Sequence, residues 1–151
     1  MRGPEKYKKH IFLIIFAPIL FPSSSKVCAF RKLEINNSNV LALSADLGRS
    51  SGLDRFSKEY PDQYLNTGIA EQNMVGVASG LARMGFDVFA STFAPFASMR
   101  ASEQVRMNMG YMHEPVKLVA LGSGLAMGFL GNSHYGLEDL AVMRAIPGLT
   151  I

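Results

Sequence analysis

Few side chains in this sequence can do chemistry, and their placement is informative. Glu71 stands where a helix should begin, just after the glycine turn at Gly68 and ahead of small and apolar residues at helical spacing. An acid in a first helical turn is ordinary, because exposed N–H groups and the helix dipole favour it. Asp46 and Ser50 sit in and near a turn after an apolar run, where turn capping explains both types equally well. Phe93 and Phe96 flank Pro95 and could wall an apolar slot for a flat ring. Arg100, Glu103, Gln104 and Arg106 share one helical stretch, where Arg100 with Glu103 or Glu103 with Arg106 would pair at i,i+3. His134 lies in a Gly/Asn/Ser loop, where an imidazole is either simply exposed or free to donate, accept or relay a proton.

The elements that must hold these residues alternate between strand and helix. Val40–Ser44 reads as a buried parallel strand, Gly48–Gly52 as a loop and Asp54–Glu59 as a short helix. Gln63–Asn66 predicts a second strand. Glu71–Met84 predicts a helix whose apolar face is Met74, Val75, Ala78, Leu81 and Ala82, with Gly85 as its stop. Gly76 and Gly80 lie four apart, a spacing that lets a neighbouring backbone approach. Strand Asp87–Ser91, helix Ala94–Met112 (apolar at Met99, Val105 and Met109) and strand Val116–Leu121 follow. A glycine-rich loop, Gly122–Gly136, leads to a short helix, Leu137–Ala145, and Leu149–Ile151 opens another strand. This order predicts an α/β fold: a parallel sheet with helices on both faces and ligands at the carboxyl ends of the strands.

Composition narrows the function further. The chain has 151 residues, enough for one domain with a core, and 48% are hydrophobic. Residues 1–32 carry seven basic residues against one acid, whereas residues 33–151 carry eight against eleven, so the basic balance belongs to the start. The body has no basic stripe of the kind nucleic-acid binding needs. One cysteine, Cys28, allows no internal disulfide, and His10, His113 and His134 are too scattered to suggest a metal site. Gly122-Ser-Gly124-Leu-Ala-Met-Gly128 imitates a dinucleotide loop, but Gly131, Asn132, Ser133 and Gly136 break the helix that fingerprint requires.

The run Gly68-Ile69-Ala70-Glu71-Gln72-Asn73-Met74 resembles the glutamate motif of the transketolase family of thiamine-diphosphate enzymes. Around it, Leu43-Ser44-Ala45-Asp46-Leu47, Thr92–Arg100, and Asn132-Ser133-His134 with Glu138-Asp139 and Arg144–Pro147 follow in the family's order and spacing. The resemblance spans about Leu33 to Ile151. It implies a pyrimidine-binding domain over 33–151. There Glu71 would hydrogen-bond the cofactor's aminopyrimidine nitrogen, Phe93 and Phe96 would pack on that ring, and Asp46 would lie near the cofactor. It also implies catalytic and substrate contacts for His134 and substrate contacts for Ser50 and Arg100. The sequence departs from well-studied transketolases at Met99, where an aromatic is common, and at Gly122 and Leu130, where a histidine and an acid are usual.

The family's Gly-Asp-Gly segment for Mg²⁺ and diphosphate does not occur in this sequence. The expected function is therefore a component: the pyrimidine side of a transketolase, moving two-carbon ketol units between sugar phosphates. The resemblance implies a partner, an N-terminal transketolase-like chain holding the diphosphate and Mg²⁺, in a homo- or hetero-oligomer, with little activity for this chain alone. The other readings are a deoxyxylulose-phosphate-synthase-like component, a 2-oxoacid dehydrogenase β-like component, and a non-catalytic fragment. Residues 1–32 read as an atypical leader: a basic start, a short apolar run broken by Pro18, then serines. We rank a mis-assigned start on an incomplete cytoplasmic protein first, a targeting leader second and a membrane anchor third. The Asn36-Asn37-Ser38 sequon would matter only in a secreted chain.

Overall fold

The computed structural model describes residues 12–16 and 39–151, the former as backbone only. Five parallel strands form one sheet in the order β1-β5-β4-β2-β3. They are β1 (Phe12–Phe16), β2 (Val40–Ser44), β3 (Tyr64–Asn66), β4 (Asp87–Phe93) and β5 (Lys117–Leu121). The helices are α1 (Asp54–Glu59), α2 (Glu71–Arg83), α3 (Ser102–Gln104) and α4 (Asp139–Arg144). Two π-helical turns, Phe96–Arg100 and Val105–Tyr111, flank α3. Among the described residues no helix is long and apolar enough to cross a membrane.

The parallel ladder explains why the strands read as apolar runs, since both faces are covered. The register aligns Leu43, Ala90 and Leu118 across β2, β4 and β5. That face meets Met74, Val75, Ala78 and Ala82 of α2, Ala97, Ala101, Val105 and Met109 of the following helical stretch, and Met143 of α4. The opposite face carries two smaller clusters. Ala42 packs with Leu53 and Phe56 of the α1 region, and Phe93, Val119 and Leu121 pack with Met127. The segment 12–16, inside the stretch read as a separate leader, supplies the edge strand: its backbone pairs Phe12 with Lys117 through Phe16 with Leu121. A β-branched and aromatic run suits an edge strand. The other expectations for the leader, including Cys28, His10 and the sequon, lie outside the described residues.

Several elements depart from the sequence reading. β4 runs two residues past the expected end at Ser91, so Phe93 is the last strand residue rather than part of the segment after the strand. The helix expected over Ala94–Met112 is π-helical at both ends, with Ala101 N–H bonding Phe96 O and Met112 N–H bonding Met107 O, five residues back. Such widened turns recur at functional sites. Here the first follows Pro95, which has no N–H to give, and the second admits Gly110, where an added Cβ would lie 2.5 Å from Ile146 Cγ2. Met99, expected among the apolar positions, is 50% exposed. Gly76 and Gly80 face open space, so no described backbone uses the close approach they permit. Leu149–Ile151 forms no named strand.

Leu43 is fully buried at the centre of the larger cluster. Leu43→Ala should lower unfolding free energy by about 2–5 kcal/mol, as truncation of packed leucines does. Urea titration measures this; a loss well under ~1 kcal/mol would mean that the sheet face is not the packed core described.

Candidate active site at the carboxyl edge of the sheet

The chemistry-bearing residues gather where parallel strands end, because each follows β2, β3, β4 or β5. Glu71 is the first residue of α2 and is 2% exposed. No side-chain hydrogen bond caps this helix among the described residues, and an acid in its first turn is favoured by the helix dipole. Burial of a carboxylate still needs a partner. Arg100 supplies it: Nη1 donates to Oε1 and to Oε2, each at 2.9 Å. The Arg100 side chain is 46% exposed, so one end of the pair is dry and the other wet.

The first π turn places Phe96 and Arg100 together, and the guanidinium carbon lies 4.0 Å above the Phe96 ring centroid. Gln72, next to Glu71 on α2, donates from Nε2 to Arg100 O at 3.1 Å and ties the two helices at this corner. Phe93 and Phe96 stand 6.0 Å apart, centroid to centroid, tilted by 48°. His134 completes the group edge-on, 6.1 Å from Phe93 and 5.2 Å from Phe96.

His134 is held there by the glycine-rich loop. Gly122, Gly124 and Gly131 adopt positive φ, and Gly124 bridges Gly136 through backbone bonds of 3.0 Å in both directions. Tyr135 Oη donates to Gly128 O, and Ser133 Oγ lies 3.0 Å from His134 Nδ1. Gly136 has no room for a side chain, since a Cβ would lie 2.7 Å from Asp139 Oδ2. After Gly122 the loop forms two 3-10 turns instead of a helix, which removes the dinucleotide reading.

Glu71, Phe93, Phe96, Arg100 and His134 are thus brought into one cluster. Asp46 and Ser50 have different settings. Asp46 is exposed with φ of 57°, a left-handed conformation that Asp adopts more readily than most residues, and Asn66 supports it. Asn66 Oδ1 accepts from the N–H groups of Asp46 and Gly68, and Asn66 Nδ2 donates to Asp46 Oδ1. Ser50 is exposed in the turn beyond, while its neighbour Ser51 is buried and hydrogen-bonded to Ser91 Oγ at 3.0 Å. Two contacts escaped sequence reasoning. Asn66 was readable only as a strand end, though an Asn before a glycine turn is a side-chain bonding signal. Arg100 had a helical partner in view, but Glu103 pairs with Arg106 at 2.8 Å and Arg100 crosses to Glu71.

The donor set fits a thiamine pyrimidine: one dry carboxylate, linked through Arg100 to two aromatic rings with an imidazole edge-on to them. Among the described residues no three His, Cys, Asp or Glu side chains gather to hold a metal ion. Comparison with known proteins agrees with this class of site. Residues 28–151 match the family model for the transketolase pyrimidine-binding domain, and the chain belongs to that family.

Its relatives include separate transketolase subunits. It is 47% identical over 113 residues to a Methanocaldococcus jannaschii protein named, provisionally, a transketolase C-terminal section. It is 40% identical over 115 residues to a 6-deoxy-6-sulfo-D-fructose transketolase subunit of a Clostridium species. The chain spans 36% of the length of each of these two, and the matches cover 75% and 76% of this chain. A split-gene transketolase solved as an inactive β4 tetramer superposes with a TM-score of 0.69 at 41% identity, over 82% of this chain and 39% of that one. Leishmania mexicana transketolase, at 23% identity and a TM-score of 0.74 over 95% of this chain and 22% of its own, shares the fold.

Next to the site, Tyr64 has its phenol pKa pushed above the ordinary value of 10.0, chiefly by burial. A hydrogen bond with Ser44 opposes the shift, and the Asp46 and Asp54 carboxylates add to it. A raised folded pKa contributes stability that is complete below the unfolded value near 10 and is lost as pH rises through the folded value. Thermal melts from pH 8 to 11 should show stability falling above about pH 10, with a shallower fall in Tyr64→Phe. Identical slopes would exclude Tyr64 as the cause.

Proposed function

We propose that this chain is the pyrimidine-side component of a thiamine-diphosphate-dependent transketolase that moves two-carbon ketol units between sugar phosphates. The observation that carries the reading is Glu71: a carboxylate 2% exposed, at the head of α2, joined through Arg100 to the Phe96, Phe93 and His134 group, inside a transketolase pyrimidine-domain match. When bound, the cofactor supplies the carbon nucleophile and the electron sink for cleaving a ketose. This chain's residues bind and tune. Glu71 would hydrogen-bond the pyrimidine ring nitrogen from its buried place at the head of α2. Phe93 and Phe96 pack on the flat ring and keep water away from it. His134 reaches from the loop toward a sugar hydroxyl, where a neutral imidazole can donate or accept.

A second chain carrying the diphosphate and Mg²⁺ completes the enzyme in this proposal. The relatives named as separate transketolase sections and subunits support it. Those relatives also bear on substrate choice, since one is named for a sulfofructose and another, from Phocaeicola vulgatus, for apulose 4-phosphate. Gly122 and half-exposed Leu130 remove a histidine and an acid from the loop that common transketolases use. The acceptor or donor sugar should differ accordingly.

The test is a tagged pull-down, with the eluate assayed for thiamine diphosphate and then offered xylulose 5-phosphate or pyruvate. The reading expects a co-purifying chain, cofactor in the complex, and turnover of the ketose phosphate but not of pyruvate. Glu71→Gln should lose the cofactor and lower ketol transfer by roughly 10²–10⁴-fold, the range of a lost acid–base contribution. Full activity in that variant, or turnover of pyruvate alone, would overturn the reading.

A further inference from the structure

Resting on the cofactor reading above, we propose that Arg100 is an internal stand-in for the aminopyrimidine, one that must release Glu71 before the ring can seat. The argument comes from what the guanidinium touches. It is flat, it carries N–H donors along its edge, and its central carbon lies 4.0 Å from the Phe96 ring centroid. One of its nitrogens, Nη1, meets both oxygens of Glu71 at 2.9 Å. A pyrimidine held by this site needs the same two surfaces: an aromatic face to pack on and the Glu71 carboxylate at its edge. A ring seated on the Phe96 face that the guanidinium covers has to displace it, and with it the Nη1 bonds to Glu71.

The surroundings suit an exchange. Arg100 is 46% exposed, so its head can swing into water, where a guanidinium is well solvated. Its backbone stays fixed, because Gln72 holds Arg100 O and the π turn closes through Ala101 N–H to Phe96 O. Glu71 cannot follow it out: it is 2% exposed and set in the first turn of α2. Methionine at the preceding position, Met99, is half exposed and leaves the outer side of the turn open for the arginine to move. The nearest alternative acid on this stretch, Glu103, is bound to Arg106 through two contacts of 2.8 and 3.0 Å. The pair therefore keeps a buried carboxylate compensated until a better-placed ring replaces the guanidinium, and it subtracts from cofactor affinity.

This role makes two readouts move in opposite directions, which a merely structural ion pair would not. The variant is Arg100→Met, which keeps an apolar stem over Phe96 and removes the donors. The full chain in complex with its co-purifying partner is titrated with thiamine diphosphate and Mg²⁺ by calorimetry, and melted with and without both. Arg100→Met should melt lower than wild type without cofactor, because Glu71 is left buried and unpaired. It should bind thiamine diphosphate about tenfold more tightly, since no contact has to be displaced. Arg100→Lys, a positive charge without the flat fork, should fall between the two. Weaker or unchanged binding in Arg100→Met, with wild type binding normally, would overturn the stand-in role and leave the cofactor reading intact. No binding to wild-type complex would overturn the cofactor reading, and this inference with it.

Discussion

Of three carboxylates buried among the described residues, Glu71 is the one that organises the candidate site. Glu71 is held at the head of α2, and everything near it answers the cost of burying a charge. It stands in the first turn of α2, where the helix dipole favours an acid, Arg100 neutralises it, and the guanidinium that does so lies over Phe96. Those contacts draw the first π turn of the 96–111 stretch against α2. They explain why a helix that is otherwise core on one face carries an arginine at this corner. The pair is lopsided by design of the fold: Glu71 has no route to water, and Arg100 has one.

The sheet makes this arrangement possible because parallel strands put all their exits on one edge. Asp46, Glu71, Phe93 and His134 arrive there from four different strands, although they span almost ninety residues of sequence. The larger core lies on the α2 side of the sheet, so α2 is a rigid platform, packed through Met74, Val75, Ala78 and Ala82. The other side of the edge is built from loops. There glycines at positive φ bring His134 back edge-on to the two phenylalanines, and the lack of room for a side chain at Gly136 lets the loop pass close to Asp139 at the start of α4. The acid thus rides on a packed helix, whereas the imidazole rides on a glycine-rich loop.

Much of the fold was legible in the chain because it rests on local pattern. The β2 strand and the α1 helix match their expected limits, since a short apolar run before Asp46 and an amphipathic hexamer before Tyr60-Pro61 leave little choice. The α2 face could be read from helical spacing, and its end from Gly85 at φ of 104°. The 94–112 stretch was harder. Periodicity reports that a helix exists, but it cannot show that the ladder widens to i+5 bonds, because the cause is how Pro95 and Gly110 pack against other elements.

The site divides in the same way. Residue type and order marked Glu71, Phe93, Phe96 and His134, because a motif is a pattern along the chain. Which groups touch was decided by tertiary structure. Arg100 had a nearby acid at i+3 and took one twenty-nine positions away instead. An exposed pair on a helix gains little in water, whereas a buried carboxylate must be matched. Likewise Asn66 looked like the end of a strand and proved to be the clamp on Asp46. Sequence determined which chemical groups are present and on which strand ends they ride. Only folding, by excluding water from one of them, decided which partners they were obliged to find.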